Sequence, residues 1–374
     1  MKICFFDFIT LVGGATKGTV FLLERLRNKG VDVEVIDGYG SCLEYLADLD
    51  DVNIKYTILA SNIKKQTIGY SNNKLRRYLE MMFQIPVYCY VFLKLFGAVF
   101  KSKPSHIMVN NWKSLFFVLP LKFIFGFKII LYFRIEGLKA HLPYLFVFYL
   151  NHFVDTVFSH SKNAIINMKK NGIHREIIYL PNCVKISSPS LNKRKGSDFK
   201  IFLNSGRVVP QKGYHTAIKA ISLLKAKKYS VFLILPGIKT DLVYAERLQK
   251  LIEINELCDC VKFVGWVENV QQEVADSDCM ILPSHSEGFP RSVIEAMLLK
   301  TPVCATPVGG IPEAIFDNET GFLFDIDDFV SLANKLESLI LDKKLHQKIV
   351  LNAYNYASTN FDENSNTEVF LRNI

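Results

Sequence analysis

No Cys-x-x-Cys pair occurs in the 374 residues, and the eight cysteines (4, 42, 89, 183, 258, 260, 279 and 304) stand singly apart from Cys258-x-Cys260. That spacing reads as a turn before a strand rather than a metal site, so reduced, mostly buried thiols are expected. Low-complexity sequence is also missing: 49% hydrophobic and 22% charged residues with 20 Gly and 13 Pro exclude disordered and collagen-like classes. No long uncharged apolar run is present. Residues 86–100 (PVYCYVFLKLFGAVF) are too few to span a bilayer, and 115–133 reach spanning length only by including Pro120, Lys122 and Lys128. Both are expected to form a buried helix and a core strand. The first residues, MKICFFDF, lack the apolar region and small-residue cleavage site of a secretory signal, so a cytoplasmic location is expected. Gly13-Gly14 lacks the G-x-G-x-x-G spacing, which counts against a dinucleotide oxidoreductase.

Acidic residues are scarce in one stretch and crowded in another. Residues 51–150 hold 14 Lys+Arg against 3 Asp+Glu, whereas 251–350 hold 7 against 17, within a formal net charge of +9. A uniform nucleic-acid-binding surface would not be split in this way, so no nucleic-acid partner is expected. The basic stretch is also rich in aromatic and aliphatic residues, a combination suited to an anionic membrane surface, where each Lys or Arg adds about 1 kcal/mol. Peripheral attachment to the inner face of the cell membrane follows as an expectation.

Short apolar strands alternate with amphipathic helices along the chain, which argues for parallel sheets covered on both faces. In the first half, strands are expected at 3–6, 33–36, 107–109, 129–133, 156–158 and 177–180, with helices at 16–29 and 161–171. The polar stretch 186–197 reads as a linker. Beyond it, strands are expected at 200–204, 231–235, 261–264, 280–283, 303–305 and 321–324. Helices are expected at 213–226, 241–255, near 271, at 291–299 and at 329–341, the last capped by Asp328. The domains therefore read as 1–185 and 198–357, with 358–374 packing back on the first. Two doubly wound α/β domains would take a ligand at the carboxyl ends of their strands.

Three features of the second half bear on chemistry. Gly206-Arg207 follows a strand, and Lys212-Gly213 opens the next helix; a guanidinium fork, an ammonium and a helix N-terminus suit a diphosphate. The same residues also read as an exposed loop with two ordinary cations. Glu287 and Glu295 are separated by seven residues, the second just over one turn into a helix that rises about 1.5 Å per residue, so both carboxylates can face one cleft. Carboxylates accept paired hydrogen bonds from vicinal hydroxyls, as on a sugar or ribose. The plainer alternative is a solvated loop carboxylate and a first-turn charge on the helix dipole. Gly309-Gly310-Ile-Pro-Glu313 is a glycine turn leading into a helical turn, compatible with close approach of a nucleotide or with a simple tight turn.

In order and spacing, Gly206-Arg207 with Lys212-Gly213, Phe263-Val-Gly265, Pro283-Ser284 with the Glu287/Glu295 pair, Gly309-Gly310-Ile-Pro-Glu313 and Thr320-Gly321 resemble the retaining glycosyltransferases of family 4. The resemblance is strongest over residues 198–345 and colinear before that through Gly13-Gly14, Ser161 and Pro181-Asn182. It implies the α/β fold of GT-B type, two Rossmann-like domains. It also implies that Arg207 and Lys212 hold the donor diphosphate and Glu295 the ribose. Glu287, with Gly288, Phe289, Pro290 and Ser292, would hold the donor sugar and neighbouring phosphate oxygens. Phe263 and Gly265 would lie beside the base, and Gly13 and Gly14 near the phosphates. No metal or other cofactor is implied, the nucleotide-diphosphate sugar being a co-substrate. The runs Asp276-x-Asp278 and Asp325-x-Asp327 would be the metal candidates, but one precedes a strand and the other a helix. One departure matters: where many relatives carry a His after the strand at 129–133, this chain reads Phe133-Arg134-Ile135-Glu136-Gly137, with the nearest His at 141. Arg134, Glu136 or His141 is left to serve, and His285 is a further sugar contact to test.

The resemblance thus points to transfer of a sugar, from a UDP-sugar or GDP-mannose, to a saccharide or lipid-linked saccharide in bacterial surface polysaccharide assembly. Two other classes share the architecture: a sugar-nucleotide epimerase, which needs no acceptor, and a non-catalytic membrane-associated partner.

Overall fold

In a computed structural model the protein is described over residues 1–10, 12–61, 74–134, 144–186 and 198–374, with backbone alone for 74–84. It divides into two compact units. The first comprises Met1–His160, Ile165–Leu180 and Thr367–Ile374, and the second Ser161–Ala164 and Pro181–Asn366.

The first unit runs β1 (Lys2–Asp7), α1 (Gly14–Asn28), β2 (Asp32–Asp37), α2 (Leu43–Asp51), β3 (Lys55–Ile58), α3 (Lys74–Ser102), β4 (His106–Val109), α4 (Trp112–Phe125), β5 (Lys128–Phe133), α5 (Tyr144–Phe153), β6 (Thr156–Ser159), α6 (Lys162–Lys170) and β7 (Ile178–Tyr179). All pairings are parallel, in the order β3-β2-β1-β4-β5-β6-β7. The strands are nearly continuous apolar runs because helices cover both faces: Ile3, Phe5, Ile130 and Phe158 fill one core, and Cys4, Phe6, Ile107 and Leu131 the other. Phe370, near the end of the chain, stacks on Phe158 at 4.9 Å between ring centres.

The second unit runs β8 (Phe199–Leu203), α7 (Tyr214–Ala226), β9 (Val231–Pro236), α8 (Leu242–Ile254), β10 (Val261–Gly265), α9 (Val270–Ala275), β11 (Cys279–Leu282), α10 (Arg291–Leu298), β12 (Val303–Ala305), β13 (Phe322–Leu323), α11 (Phe329–Leu341), α12 (Lys343–Asn360) and α13 (Glu363–Arg372), whose last turns belong to the first unit. Its six strands are parallel in the order β10-β9-β8-β11-β12-β13.

In each sheet the winding reverses once, between β1 and β4 and between β8 and β11. A crevice opens at the carboxyl ends of the strands where adjacent connections leave in opposite directions, and open α/β sheets bind ligands there.

The expected strands lie within a residue or two of those found, the one at 129–133 included, but one strand and the reading of 86–100 need correction. β3 was missed: four residues at a sheet edge offer too short an alternation to register. Residues 115–133 are two elements, with Gly126 in the left-handed region (φ 73°) ending α4 before β5 begins. Residues 86–100 belong to the 29-residue α3, and its stretch Ile85–Ser102 is only 17% buried. Val91, Leu95 and Val99 face the core, while Leu93, Phe96 and Phe100 face outward, so this helix is not the buried one expected. Among the described residues it is the one helix that by length and composition could cross a membrane.

Candidate functional site

In the second unit the winding reverses beside two loops that meet. After β8 the chain passes Gly206-Arg207 and forms a short 3-10 turn, Pro210–Lys212, ending at Gly213 with φ 65°. A Cβ on Gly213 would lie 1.9 Å from the Pro283 carbonyl oxygen, so only glycine lets this turn close on the loop after β11. The His285 N–H donates to the Gln211 carbonyl at 2.8 Å and locks the two loops together. That contact brings Lys212 Nζ to 2.6 Å from Glu287 Oε1, a largely buried ion pair with side chains 23% and 13% exposed. The expected diphosphate cation and sugar-binding carboxylate are therefore direct neighbours.

Arg207 is exposed, and among the described residues its guanidinium has no hydrogen bond or ion pair. Its backbone is fixed instead, through two bonds with the Ser205 hydroxyl and a bridge to Ile238. Glu295 lies in the second turn of α10 and Ser292 in its first, with Gly288 and Pro290 in the loop before it. At Phe289 the expected contact is through the backbone. Its ring is 4% exposed and packs on Phe361, so only its backbone can face a ligand, and its carbonyl accepts from Asn182 Nδ2 at 2.9 Å. Gly310 sits under that ring, where a Cβ would come within 2.5 Å, and its N–H donates to the Gly288 carbonyl at 2.9 Å.

Phe263, half-buried, stacks on the buried Tyr214 (6.3 Å, 18°) with Lys239 over its ring at 5.0 Å. Gly265 has φ 72°, and its carbonyl accepts from the Gly237 N–H. Burial pushes the Tyr214 phenol up to about 12, and its hydroxyl donates to the Pro236 carbonyl.

His285 does not stand alone. Its Nε2 lies 2.9 Å from Asp327 Oδ1, which also meets His215 Nε2 at 2.8 Å and Thr216 Oγ1 at 3.0 Å. Burial opposes ionisation of Asp327, but hydrogen bonds from His285, Thr216 and His215 outweigh it and lower its pKa. His215, His285 and Asp327 present ligand atoms within 4.8 Å of one another, the group among the described residues that could hold a metal ion. Sequence reading missed it because the three residues come from α7, the loop after β11 and the loop before α11. Of the Asp-x-Asp runs, Asp278 Oδ2 accepts from the Lys200 N–H, while Asp327 is the carboxylate of this group and its neighbour Asp328 caps α11. Glu313 accepts from the N–H groups of Lys162 and Asn163, both at 3.0 Å.

In the first unit the winding reverses between Asp7, at the end of β1, and the Asn110-Asn111 corner after β4. Gly13 is extended (φ −159°), and a Cβ on Gly13 or Gly14 would meet nothing within 4 Å. Arg134 reaches this loop: its Nη1 donates to the Ala15 carbonyl at 2.6 Å while its guanidinium lies 4.1 Å from the centre of the Tyr132 ring. Glu136 and His141 lie outside the described residues.

Two buried carboxylates here were also missed. Asp7 Oδ1 accepts from the Phe8 N–H, Asn111 Nδ2 and Ser114 Oγ. Asp37 Oδ1 accepts from the N–H groups of Ile9 and Tyr39, while its Oδ2 is buried with no partner. Burial raises the pKa of both against these hydrogen bonds, and Asp7 raises that of Asp37 further.

Comparison with known proteins agrees with this architecture. The chain superimposes over its full length on HepE of Anabaena in complex with UDP, with a TM-score of 0.80, 22% identity and 99% of that chain covered. Two parallel doubly wound units and that likeness define the GT-B fold. Residues 190–356, somewhat less than half of the chain, match the family Glycosyl transferases group 1. Among curated relatives, the capsular polysaccharide biosynthesis glycosyltransferase CapM of Staphylococcus aureus is 29% identical over 38% of this chain and 37% of its own length. The lipopolysaccharide core biosynthesis glycosyltransferase LpsE of Rhizobium meliloti is 26% identical over 47% and 50%. The chain thus spans half or less of the length of these two curated relatives.

Proposed function

We propose that the protein transfers a sugar from a nucleotide-diphosphate sugar, a UDP-sugar before GDP-mannose, to a saccharide or lipid-linked saccharide in surface polysaccharide assembly. The observation that carries this reading is the Lys212–Glu287 ion pair at the winding reversal of the second unit, on the loop that also carries the exposed Arg207, inside the segment that matches the family. HepE was solved with UDP, and CapM and LpsE serve capsule and lipopolysaccharide core synthesis, which supports the donor and acceptor classes.

Transfer breaks the bond between the anomeric carbon and the diphosphate, so negative charge grows on the leaving group while the sugar becomes oxocarbenium-like. Arg207, unpaired within the described residues, and Lys212, fixed by Glu287, would stabilise that charge without reorganising, which is usually the largest catalytic contribution. Glu287 keeps its second oxygen for donor hydroxyls, and Glu295 on α10 would take the ribose. Gly13 and Gly14 need no glycine for their own backbone or packing, as expected where a ligand must come close to the main chain. Arg134, bound to that loop, would take over the role of the His found there in relatives. A leaving phosphate oxygen that takes the acceptor proton on the same face retains configuration without a covalent intermediate and without a metal. The first unit would rest on an anionic membrane through the outward apolar residues and lysines of α3 and α4.

Thermal unfolding with UDP, GDP, ADP, NAD and sugar nucleotides, with and without EDTA, tests the donor site. A nucleotide at 100 times its dissociation constant adds about 2.7 kcal/mol. A shift with one nucleoside diphosphate, lost in Arg207→Ala and unchanged by EDTA, is expected; no shift with any of them refutes the reading. An inverted anomeric signal in the product would refute retention.

A further inference from the structure

Apart from the catalytic loops, the first unit has an apolar groove of about 480 Å³ between α3 and α4. Ring and aliphatic carbon from Tyr88, Phe92, Leu93, Phe116, Phe117 and Pro120 line it, and its volume falls in the roughly 300–1,000 Å³ range of small-molecule sites. One end of the groove carries a cation. Lys113 Nζ lies 5.0 Å from the centre of the Tyr88 ring, and Tyr88 packs edge-on against Phe117 at 5.7 Å. One groove residue, Tyr88, thus adjoins this ammonium directly, and a second, Phe117, packs on that ring. Phe8 and Tyr39 complete the cage at 4.1 and 5.2 Å, and Lys113 donates to the Tyr39 hydroxyl at 3.2 Å. No carboxylate among the described residues pairs with Lys113, and the nearby Asp7 Oδ1 is taken by three other donors. Burial lowers the Lys113 pKa and Asp7 counters it, so an arriving anion would be welcome. Lys113 is the second residue of the fourteen-residue α4 and so sits at its positive dipole end.

We propose that this groove seats the hydrocarbon chain of a single phosphate-headed lipid, with Lys113 at its mouth taking the phosphate. The charge complementarity selects the occupant: an all-carbon lining accepts the chain, and one half-buried cation at its end prefers a compact anion to a neutral or cationic head. This rests on the lipid-linked acceptor of the preceding section. The groove would anchor that acceptor at the winding reversal of the first unit, within reach of the Asp7 and Asn111 corner.

Dodecyl phosphate below its micellar concentration is the probe, compared with dodecyltrimethylammonium and inorganic phosphate by titration calorimetry on the full chain. Cys89, an exposed groove residue, supplies a local reporter through its rate of alkylation. Dodecyl phosphate is expected to bind at least about tenfold more tightly than the cationic detergent and to slow Cys89 alkylation, with no binding of inorganic phosphate. Lys113→Met should weaken it about tenfold. Leu93→Glu, at an exposed position where the fold persists, should abolish it while leaving the UDP shift intact. Equal binding of both detergents, or binding indifferent to both variants, overturns the proposal. So does attachment to vesicles of anionic lipid that leaves Cys89 unprotected, because that is surface adsorption without a seated chain. A normal UDP shift without dodecyl phosphate binding sinks the groove alone, whereas loss of the UDP shift sinks the donor reading.

Discussion

Replacing Gly213 by alanine should damage stability and donor binding together, through one contact. The φ of 65° already costs an L-residue about 1–2 kcal/mol. The added methyl would sit 1.9 Å from the Pro283 oxygen and 2.9 Å from its carbonyl carbon, both backbone atoms that cannot swing aside. Overpacking of this kind adds about 1–3 kcal/mol. A total near 3 kcal/mol corresponds to a fall of about 6–12 °C for a unit of this size. To relieve the clash the 3-10 turn must part from the loop after β11, which breaks the bond from the His285 N–H and separates Lys212 from Glu287. UDP affinity should therefore drop as well. Gly13→Ala is the matched contrast: extended backbone and no atom within 4 Å predict a change in stability within about 0.5 kcal/mol. Any loss of turnover there would come from the ligand side. Differential scanning calorimetry with a UDP titration reads both effects. A Gly213→Ala protein that melts and binds like wild type would refute the reasoning.

The remaining predictions concern buried polar groups. Tyr214→Phe leaves the Pro236 carbonyl without its side-chain donor in a buried place and should cost about 1–3 kcal/mol in urea unfolding; an unchanged midpoint would remove the hydroxyl's structural role. Asp7 and Asp37 have folded pKa values above the unfolded ones, so their ionisation opposes folding at neutral pH, and that penalty fades as pH falls through the folded values. The stability gained by Asp37→Asn should accordingly be greatest near pH 7 and shrink toward pH 4, and the opposite slope would contradict the burial argument. Glu287→Gln should keep UDP binding and lose turnover, whereas Lys212→Met should lose both, measured by the thermal shift and by product formation.

Why one half of the site could be read from the sequence and the other could not follows from where its contacts originate. Arg207, Lys212, Glu287 and Glu295 sit in short segments whose order along the chain is itself the signal, and the alternation of apolar strands with capped helices gave the parallel sheets without any long-range information. The reason Gly213 must be glycine lies seventy residues away in the Pro283 carbonyl, so the turn was legible and its constraint was not. His215, His285 and Asp327 meet from three separate elements, and Asp7 and Asp37 become neighbours only through the β1–β2 register. α3 fails in another way. Val91, Leu95 and Val99 follow the helical repeat into the core, but Leu93, Phe96 and Phe100 place equally apolar residues on the opposite face. With both faces apolar, the periodicity loses its contrast, and the helix reads as buried. A helix that keeps large apolar side chains in water over its last five turns is stable only if the rest of the unit supports it or something else covers it. The groove beside that face, ending at Lys113, is the place where such a cover would acquire chemical identity.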